Sequence, residues 1–267
     1  VSQLPLGGGK RTSVARTYGG SMEVALITVG DELLSGDTVN TNANWLAAAL
    51  SERGVAVPRI LSIPDDRAEI AARVREYAAD FDAVIVTGGI GSTPDDVTME
   101  AVADAFDSEM TPTDLTRESV ERRLAAIRER VPDREFDVDI EAEASVPEGS
   151  RPLVTDAGLA PGCVVENVYV MPGIPDELKA TFEAVADEFA GDRRSRFLYT
   201  VEPESNIIAA LEEAMDRFDV AVGCYPDREA DHNRLKVTAT DDDALDAAAA
   251  WLLENVDASE TPVSRDW

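Results

Sequence analysis

The sequence predicts a three-layer, doubly wound α/β domain with a mostly parallel sheet, followed by a small α+β unit. Three observations predict it. Short β-branched runs such as Val84-Ile85-Val86 alternate with amphipathic helical stretches, the pattern of a parallel sheet covered on both faces. One such run opens a glycine-rich turn, Thr87-Gly88-Gly89-Ile90-Gly91-Ser92-Thr93-Pro94-Asp95-Asp96-Val97-Thr98, that leads into a helix. The chain of 267 residues is long enough for one sizeable core and a smaller one. The expected divisions are a flexible extension over 1–21, the α/β domain over 22–193 and the small unit over 194–267.

Residues 1–21 hold Gly7-Gly8-Gly9, Lys10, Arg11 and Arg16 with no acidic residue, and no continuous apolar stretch of the kind a secretory signal needs. The fold is expected to begin near Met22. Val24–Val29 reads as the first buried strand. Asn40 or Thr41 caps a helix that runs through Ser51, with Leu46, Ala49 and Leu50 on one face and Gly54 closing it. Val55–Ser62 is the second strand, Arg67–Ala79 a helix, and Ala83–Val86 the third strand. Thr113–Arg130 is an amphipathic helix with Val120, Leu124 and Ile127 on its apolar side. The acidic stretch 131–150 reads as a loop with short elements. Leu153–Val170 reads as extended strands around Ala160-Pro161-Gly162, and Pro175 starts a helix to about Phe189. The terminal unit reads strand (Phe197–Val201), helix (Ile207–Phe218), strand (Val220–Tyr225), strand (Arg234–Ala239), helix (Ala244–Asn255). That order is similar to KH-like subdomains, yet the Gly-x-x-Gly loop with which an RNA-binding KH module clamps the backbone is missing.

Composition excludes several classes of function. The chain has 53 acidic residues against 24 Lys and Arg, a net charge of −29, and its lysines are Lys10, Lys179 and Lys236 alone. Such a surface repels itself in dilute buffer and gains from screening cations, which reads as adaptation to a salty cytoplasm. It also opposes nucleic-acid binding, which needs basic stripes against phosphate. No apolar run is long enough to span a bilayer. Cys163 and Cys224 lack metal-site spacing and cannot build a disulfide framework; they read as small apolar residues in a reducing compartment.

In an open α/β sheet, ligands bind beyond the carboxyl ends of the strands. Three such ends carry acids: Asp31 and Glu32 after the first, Asp65 and Asp66 after the second, Asp95 and Asp96 after the third. They are expected to converge on one rim beside Gly88, Gly89 and Gly91. Glycines there let an anion approach backbone N–H groups, although a tight turn without a ligand has the same composition. Oxygen ligands of this kind suit Mg²⁺ or Mn²⁺ rather than zinc. Asp65 and Asp96 also stand where helix caps stand, and Asn40 is explained equally by capping. Thr98 either bonds phosphate or braces the turn. His232 falls in a charged loop and reads as a surface residue.

Four segments together resemble the MoaB/Mog-like molybdopterin-binding domain, and most closely the N-terminal part of CinA-type proteins. They are Val29-Gly30-Asp31-Glu32-Leu33-Leu34-Ser35-Gly36 with Val39-Asn40-Thr41-Asn42; Ile63-Pro64-Asp65-Asp66; the Thr87–Thr98 turn; and Gly158-Leu159-Ala160-Pro161-Gly162 with Met171-Pro172-Gly173-Ile174-Pro175-Asp176-Glu177-Leu178. Val220–Pro226 and Leu235–Ala239 are similar to the small C-terminal subdomain of CinA-type proteins and to a segment of eukaryotic FAD synthetases. The deamidase domain of longer CinA proteins is not expected here. The resemblance implies a phosphate-bearing ligand, nucleotide or molybdopterin, held by Gly88, Gly89, Gly91, Ser92, Thr98 and Asn42. It further implies a divalent metal (Mg, Mn or Co) on Asp65, Asp96, Asp31 and Glu32, with Asp65 and Asp96 catalytic. The activity implied is a metal-dependent pyrophosphatase on ADP-ribose-like dinucleotides. Molybdopterin binding or adenylylation in molybdenum-cofactor synthesis, and a non-enzymatic ligand-binding regulator, remain alternatives. Expected partners are the small ligand and further copies of the chain, with neither nucleic acid nor membrane. Asp156 departs from the family, which usually has Asn there, and places an anion near the expected phosphate.

Overall fold

A computed structural model describes residues 21–263. The first strand, β1 (Glu23–Val29), shows why the sheet is sandwiched. Val24 and Leu26 enter one apolar core, while Ile27 and Val29 enter another. Side chains alternate across a pleat, so a strand with apolar residues on both faces must be covered twice. After β1 come α1 (Asp31–Ser35), α2 (Thr41–Glu52), β2 (Ala56–Ile63), α3 (Arg67–Asp80), β3 (Ala83–Thr87) and α4 (Thr98–Ala105). Then follow β4 (Met110–Pro112), α5 (Asp114–Arg130), α6 (Ile140–Glu143), β5 (Ser145–Pro147), β6 (Arg151–Leu153), β7 (Gly162–Val165), β8 (Val168–Met171) and α7 (Pro175–Glu183).

The main sheet has the order β2-β1-β3-β8-β7-β6. Its first four strands are parallel, and β7 runs antiparallel to both neighbours. Ile70 and Val74 of α3 and Val102 of α4 cover one face; Leu46 and Leu50 of α2 and Leu178 and Phe182 of α7 cover the other. The predicted three-layer arrangement is therefore the one observed. Registers Val29↔Ile63, Thr28↔Thr87 and Thr87↔Met171 align four strand ends on one rim.

The capped starts of α2 and α5 agree with the sequence, whereas the helix capped by Asp241 begins at Asp242, two residues before the expected Ala244. Asn40 caps α2 by accepting from the Ala43 N–H at 3.0 Å, and Gly54 follows it at φ +78°. Thr113 and Thr116 form a reciprocal capping box at the start of α5. The chain reverses as expected in the loop that ends at Ala160-Pro161, since β6 and β7 pair antiparallel, and it reverses again at Glu166-Asn167, between β7 and β8, where Glu166 takes a left-handed φ of +51°. The helix expected to reach Phe189 ends at Glu183, and Ala186–Glu188 form a single 3₁₀ turn that brings Phe189 flat against Phe182.

The terminal unit comprises β9 (Arg194–Thr200), α8 (Glu204–Phe218), β10 (Ala221–Asp227), β11 (His232–Ala239), α9 (Asp242–Asn255) and a short β12 (Ala258–Ser259). The four strands form an antiparallel sheet, β10-β11-β9-β12. Leu198, Leu235 and Val237 pack against Ile207 and Leu211 of α8 and Leu245 and Leu252 of α9, so both helices lie on one face.

Two expectations are corrected. Ser21, assigned to the extension, is buried, and its hydroxyl donates to the Gly54 carbonyl at 2.9 Å; residues 1–20 lie outside the described residues. His232 is neither in a loop nor at the surface. It begins β11, lies 8 % exposed, meets Tyr199 edge-on, and its Nδ1 stands 2.7 Å from the Val263 carbonyl oxygen. The polar run before it disguised the start of a strand.

Candidate functional site

The aligned ends of β1, β2, β3 and β8 open onto a cleft of about 460 Å³. Glu32, Asn42, Asp65, Gly88, Gly89 and Asp96 all line it. Two turns form its base. Gly88 and Gly89 carry φ of +103° and +65°, values that favour glycine, and the Pro172-Gly173 turn lies directly against them. The Thr87 hydroxyl donates to the Pro172 carbonyl at 2.7 Å, and the Asn42 side chain donates to the Gly173 carbonyl at 2.6 Å. The Met-Pro-Gly-Ile-Pro segment thus shapes the site by pinning the glycine turn from beneath.

The two adjacent acids at the end of β2 divide their work. The Asp65 carboxylate accepts the Asp31 N–H at 2.9 Å and does not cap a helix; Asp66 takes the cap of α3 by accepting from the Glu69 N–H at 2.9 Å. Burial, opposed by that backbone hydrogen bond, and the negative charges of Asp31, Glu32 and Asp95 hold the Asp65 carboxyl above the ordinary aspartate value. Asp96 does not cap α4 either. Its carboxylate accepts from the Thr93 N–H at 2.9 Å and from the Thr93 hydroxyl at 2.5 Å, which folds the loop back beside the glycines. Asp31 and Glu32 are exposed, and Glu32 is the one of the two that lines the cleft.

Thr98 is fully buried directly beneath Gly89, where a β-carbon on Gly89 would stand 2.5 Å from its Oγ1. Its N–H donates to the Gly89 carbonyl at 2.9 Å, so of the two expected roles the observed contact is the brace. The hydroxyl itself has no hydrogen-bond partner. Ser92 and Gly91 lie on the far side of Asp96, outside the cleft, and the Ser92 hydroxyl donates to Glu143. Asp156 is exposed and pairs with Arg122 at 3.4 Å, away from the cleft. Glu177 borders the neighbouring hollow, where burial raises its carboxyl and Arg123 opposes the rise.

The electrostatics of the cleft are one-sided. Glu32, Asp65, Asp95 and Asp96 line it, and none of its lining residues is basic. Among the described residues, no three His, Cys, Asp or Glu side chains stand close enough to enclose a metal ion by themselves. Sequence reasoning missed Thr87, whose hydroxyl ties the two turns, because a threonine ending a strand carries no distinguishing local signal.

Residues 25–191 match the family described as a probable molybdopterin binding domain. The chain belongs to this MoaB/Mog-like family. Residues 193–262 match the middle domain of FAD synthase. A protein of Archaeoglobus fulgidus is 40% identical over 209 residues, spanning 77% of this chain and 86% of that one. A CinA-like protein of Citrifermentans bemidjiense is 35% identical over 249 residues, 89% of this chain but 59% of its own length. The solved structure of the protein CinA from Thermoplasma acidophilum, described as of unknown function, is 31% identical with a TM-score of 0.53, covering 63% of this chain and 98% of that one. The likeness to the N-terminal part of CinA-type proteins, read from four motifs, holds over both parts of the chain.

Proposed function

We propose that the cleft binds a phosphate-bearing nucleotide together with a divalent cation, and that the chain hydrolyses the pyrophosphate bond of an ADP-ribose-like dinucleotide. The observation that carries this reading is the charge of the cleft: four carboxylates and no basic residue surround a glycine turn suited to phosphate. An anionic ligand entering such a site must bring positive charge with it. The donor set fits a hard cation such as Mg²⁺, Mn²⁺ or Co²⁺, which takes one or two carboxylates and completes its shell with water and phosphate oxygens. Asp65, destabilised as an anion by burial and then by its acidic neighbours, gains most from that charge, with Asp96 also on the cleft. When bound, the cation supplies polarisation of a phosphoryl oxygen and a more acidic water. Water then adds to one phosphorus, the bridging P–O bond breaks, and AMP and ribose 5-phosphate leave. The Gly88 N–H is taken by the Met171 carbonyl, so the backbone N–H groups that follow it in the turn, from Gly89 on, would stabilise charge on the phosphoryl oxygens, and Thr87 and Asn42 brace that turn through the Pro172 and Gly173 carbonyls.

The family match over residues 25–191 supports a second reading, in which the same turn holds the phosphate of molybdopterin. One experiment separates the two. ADP-ribose hydrolysis is followed at high KCl with Mg²⁺, Mn²⁺ or Co²⁺, beside molybdopterin binding. Activity that vanishes with chelator and returns with metal supports the pyrophosphatase. No hydrolysis with any metal, together with tight molybdopterin binding, refutes it and leaves the pterin reading.

A further inference from the structure

A second cleft, of about 800 Å³, lies between the two parts of the chain, and its character is the reverse of the first. One wall is the outer side of α2 and the start of β2, with the small residues Ala47, Ala48 and Ser51. The other is the face of the terminal sheet that α8 and α9 leave open. Antiparallel register sets this face: Lys236 pairs directly with Phe197 and Arg234 with Tyr199, while Leu198 and Leu235 turn to the helices. Phe197 is 40 % exposed, with the Arg234 guanidinium 5.4 Å and the Lys236 ammonium 5.9 Å from its ring centre. Arg193 and Arg194 complete the lining, and Glu52 is its single carboxylate.

In a chain with 53 acidic residues, four of the 24 basic ones meet here. Arg194, Arg234 and Lys236 form no ion pair with a carboxylate among the described residues. Arg194 donates to the backbone carbonyls of Gly191 and Arg193, and Lys236 to the Ser51 hydroxyl at 3.3 Å. Cations in so acidic a chain ordinarily find carboxylates, as Arg67 does with Asp104 and Arg196 with Asp246. Arg234 and Lys236 flank an aromatic ring instead, and Arg234 also feels the more distant charge of Asp227. Burial, then the charges of Arg193 and Arg234, hold the Lys236 ammonium below its usual value, so an anion placed there would relieve both neighbours.

We propose that this cleft is a binding site for a nucleoside phosphate, its base stacked on Phe197 and its phosphates held by Arg194, Arg234 and Lys236. Phosphate alone would not explain an exposed ring between two cations, whereas a base presents a flat π-face to it. The small side chains of α2 leave room for that plane, and the volume is that of a small-ligand site. The wall formed by α2 bounds the site on the side opposite the sheet and favours a mononucleotide over a strand.

The test is calorimetric titration of ADP into the full chain in EDTA, so that a cleft needing a divalent cation takes no part. Wild type binds ADP under these conditions. Arg234→Ala with Lys236→Ala lowers affinity tenfold or more with an unchanged melting temperature. Phe197→Leu weakens ADP severalfold but leaves pyrophosphate binding unchanged, and Glu52→Gln tightens ADP, a gain that misfolding cannot imitate. The proposal is overturned if ADP does not bind in EDTA, if the double variant binds like wild type, or if a short single-stranded oligonucleotide binds more tightly than ADP. Should the double variant fail to fold, unchanged ADP affinity in both Phe197→Leu and Glu52→Gln overturns it as well. Each of these outcomes is independent of metal-dependent hydrolysis in the acidic cleft.

Discussion

Three glycines allow the conformational cost of the glycine turn to be dissected. Gly36 has φ +81° and no atom within 4 Å of where a β-carbon would stand, so Gly36→Ala carries only the backbone penalty for a left-handed residue, about 1–2 kcal/mol. Gly89 has φ +65°, and its β-carbon would stand 2.5 Å from the Thr98 hydroxyl oxygen. Because the obstructing atom belongs to a side chain, overpacking in the lower part of its usual range, about 1–2 kcal/mol, places Gly89→Ala at about 2–4 kcal/mol. Gly88 has φ +103°, and its β-carbon would overlap the Val29 carbonyl oxygen, a backbone atom of the central strand that cannot rotate aside. Gly88→Ala is therefore expected at about 4–5 kcal/mol, the top of the combined range. The assay is urea denaturation at one fixed KCl concentration, reading midpoints at constant slope. Adding Thr98→Ala to Gly89→Ala should recover a kcal/mol or so in a double-mutant cycle, because it removes the atom in the way. If Gly88→Ala costs no more than Gly36→Ala, the close packing of the turn on β1 does not set its conformation and the reasoning fails.

Four further outcomes follow from charge. Asp65→Asn and Asp96→Asn should each lower kcat of metal-dependent ADP-ribose hydrolysis by at least a hundredfold while KM changes little; a pure rise in KM would assign them to binding. Because the folded-state pKa of Asp65 is raised, its ionisation works against folding, and that part of stability is lost as pH rises from the ordinary aspartate value through the raised one. Asp65→Asn should therefore raise the melting temperature at neutral pH and low salt, and a fall would contradict the crowding of carboxylates around it. The same proton competes with the cation, so the acid limb of turnover should begin at a higher pH than an exposed aspartate would set. With a net charge of −29, melting temperature should climb from dilute buffer to multimolar KCl, and a flat dependence would defeat the halophilic reading.

The strands and the rim were legible because their signals are local. Continuous β-branched runs require two covered faces, and a glycine turn after such a run marks a strand's carboxyl end. What the sequence did not disclose was which member of each acidic pair does which work. Asp65 and Asp66 are adjacent and chemically identical, yet Asp66 at φ −112° turns its carboxylate onto the Glu69 N–H, while Asp65 reaches across to Asp31. Capping was weighed for Asp65 and is done by Asp66, a difference of a single backbone step. Asp96 failed as a cap for a similar reason: the Pro94 loop brings the Thr93 N–H and hydroxyl within its reach before the helix begins.

The basic cleft was hidden for a different reason. Phe197, Arg234 and Lys236 are separated by nearly forty residues, and nothing in either stretch singles them out from ordinary edge-of-strand composition. They meet only because β9 and β11 pair antiparallel with Lys236 opposite Phe197, so that a slip of β11 by one residue would turn Arg234 and Lys236 to the helix-covered face and leave Phe197 without them. The register is fixed by what lies on the other side. Leu198, Leu235 and Val237 fill the core under α8 and α9, and their burial leaves the alternate positions no choice of face. The apolar core of the terminal unit thus builds the charged surface that faces α2. A polar replacement of Leu235 should then weaken ADP binding in EDTA as well as stability, since it loosens the register that aligns the two cations with the ring.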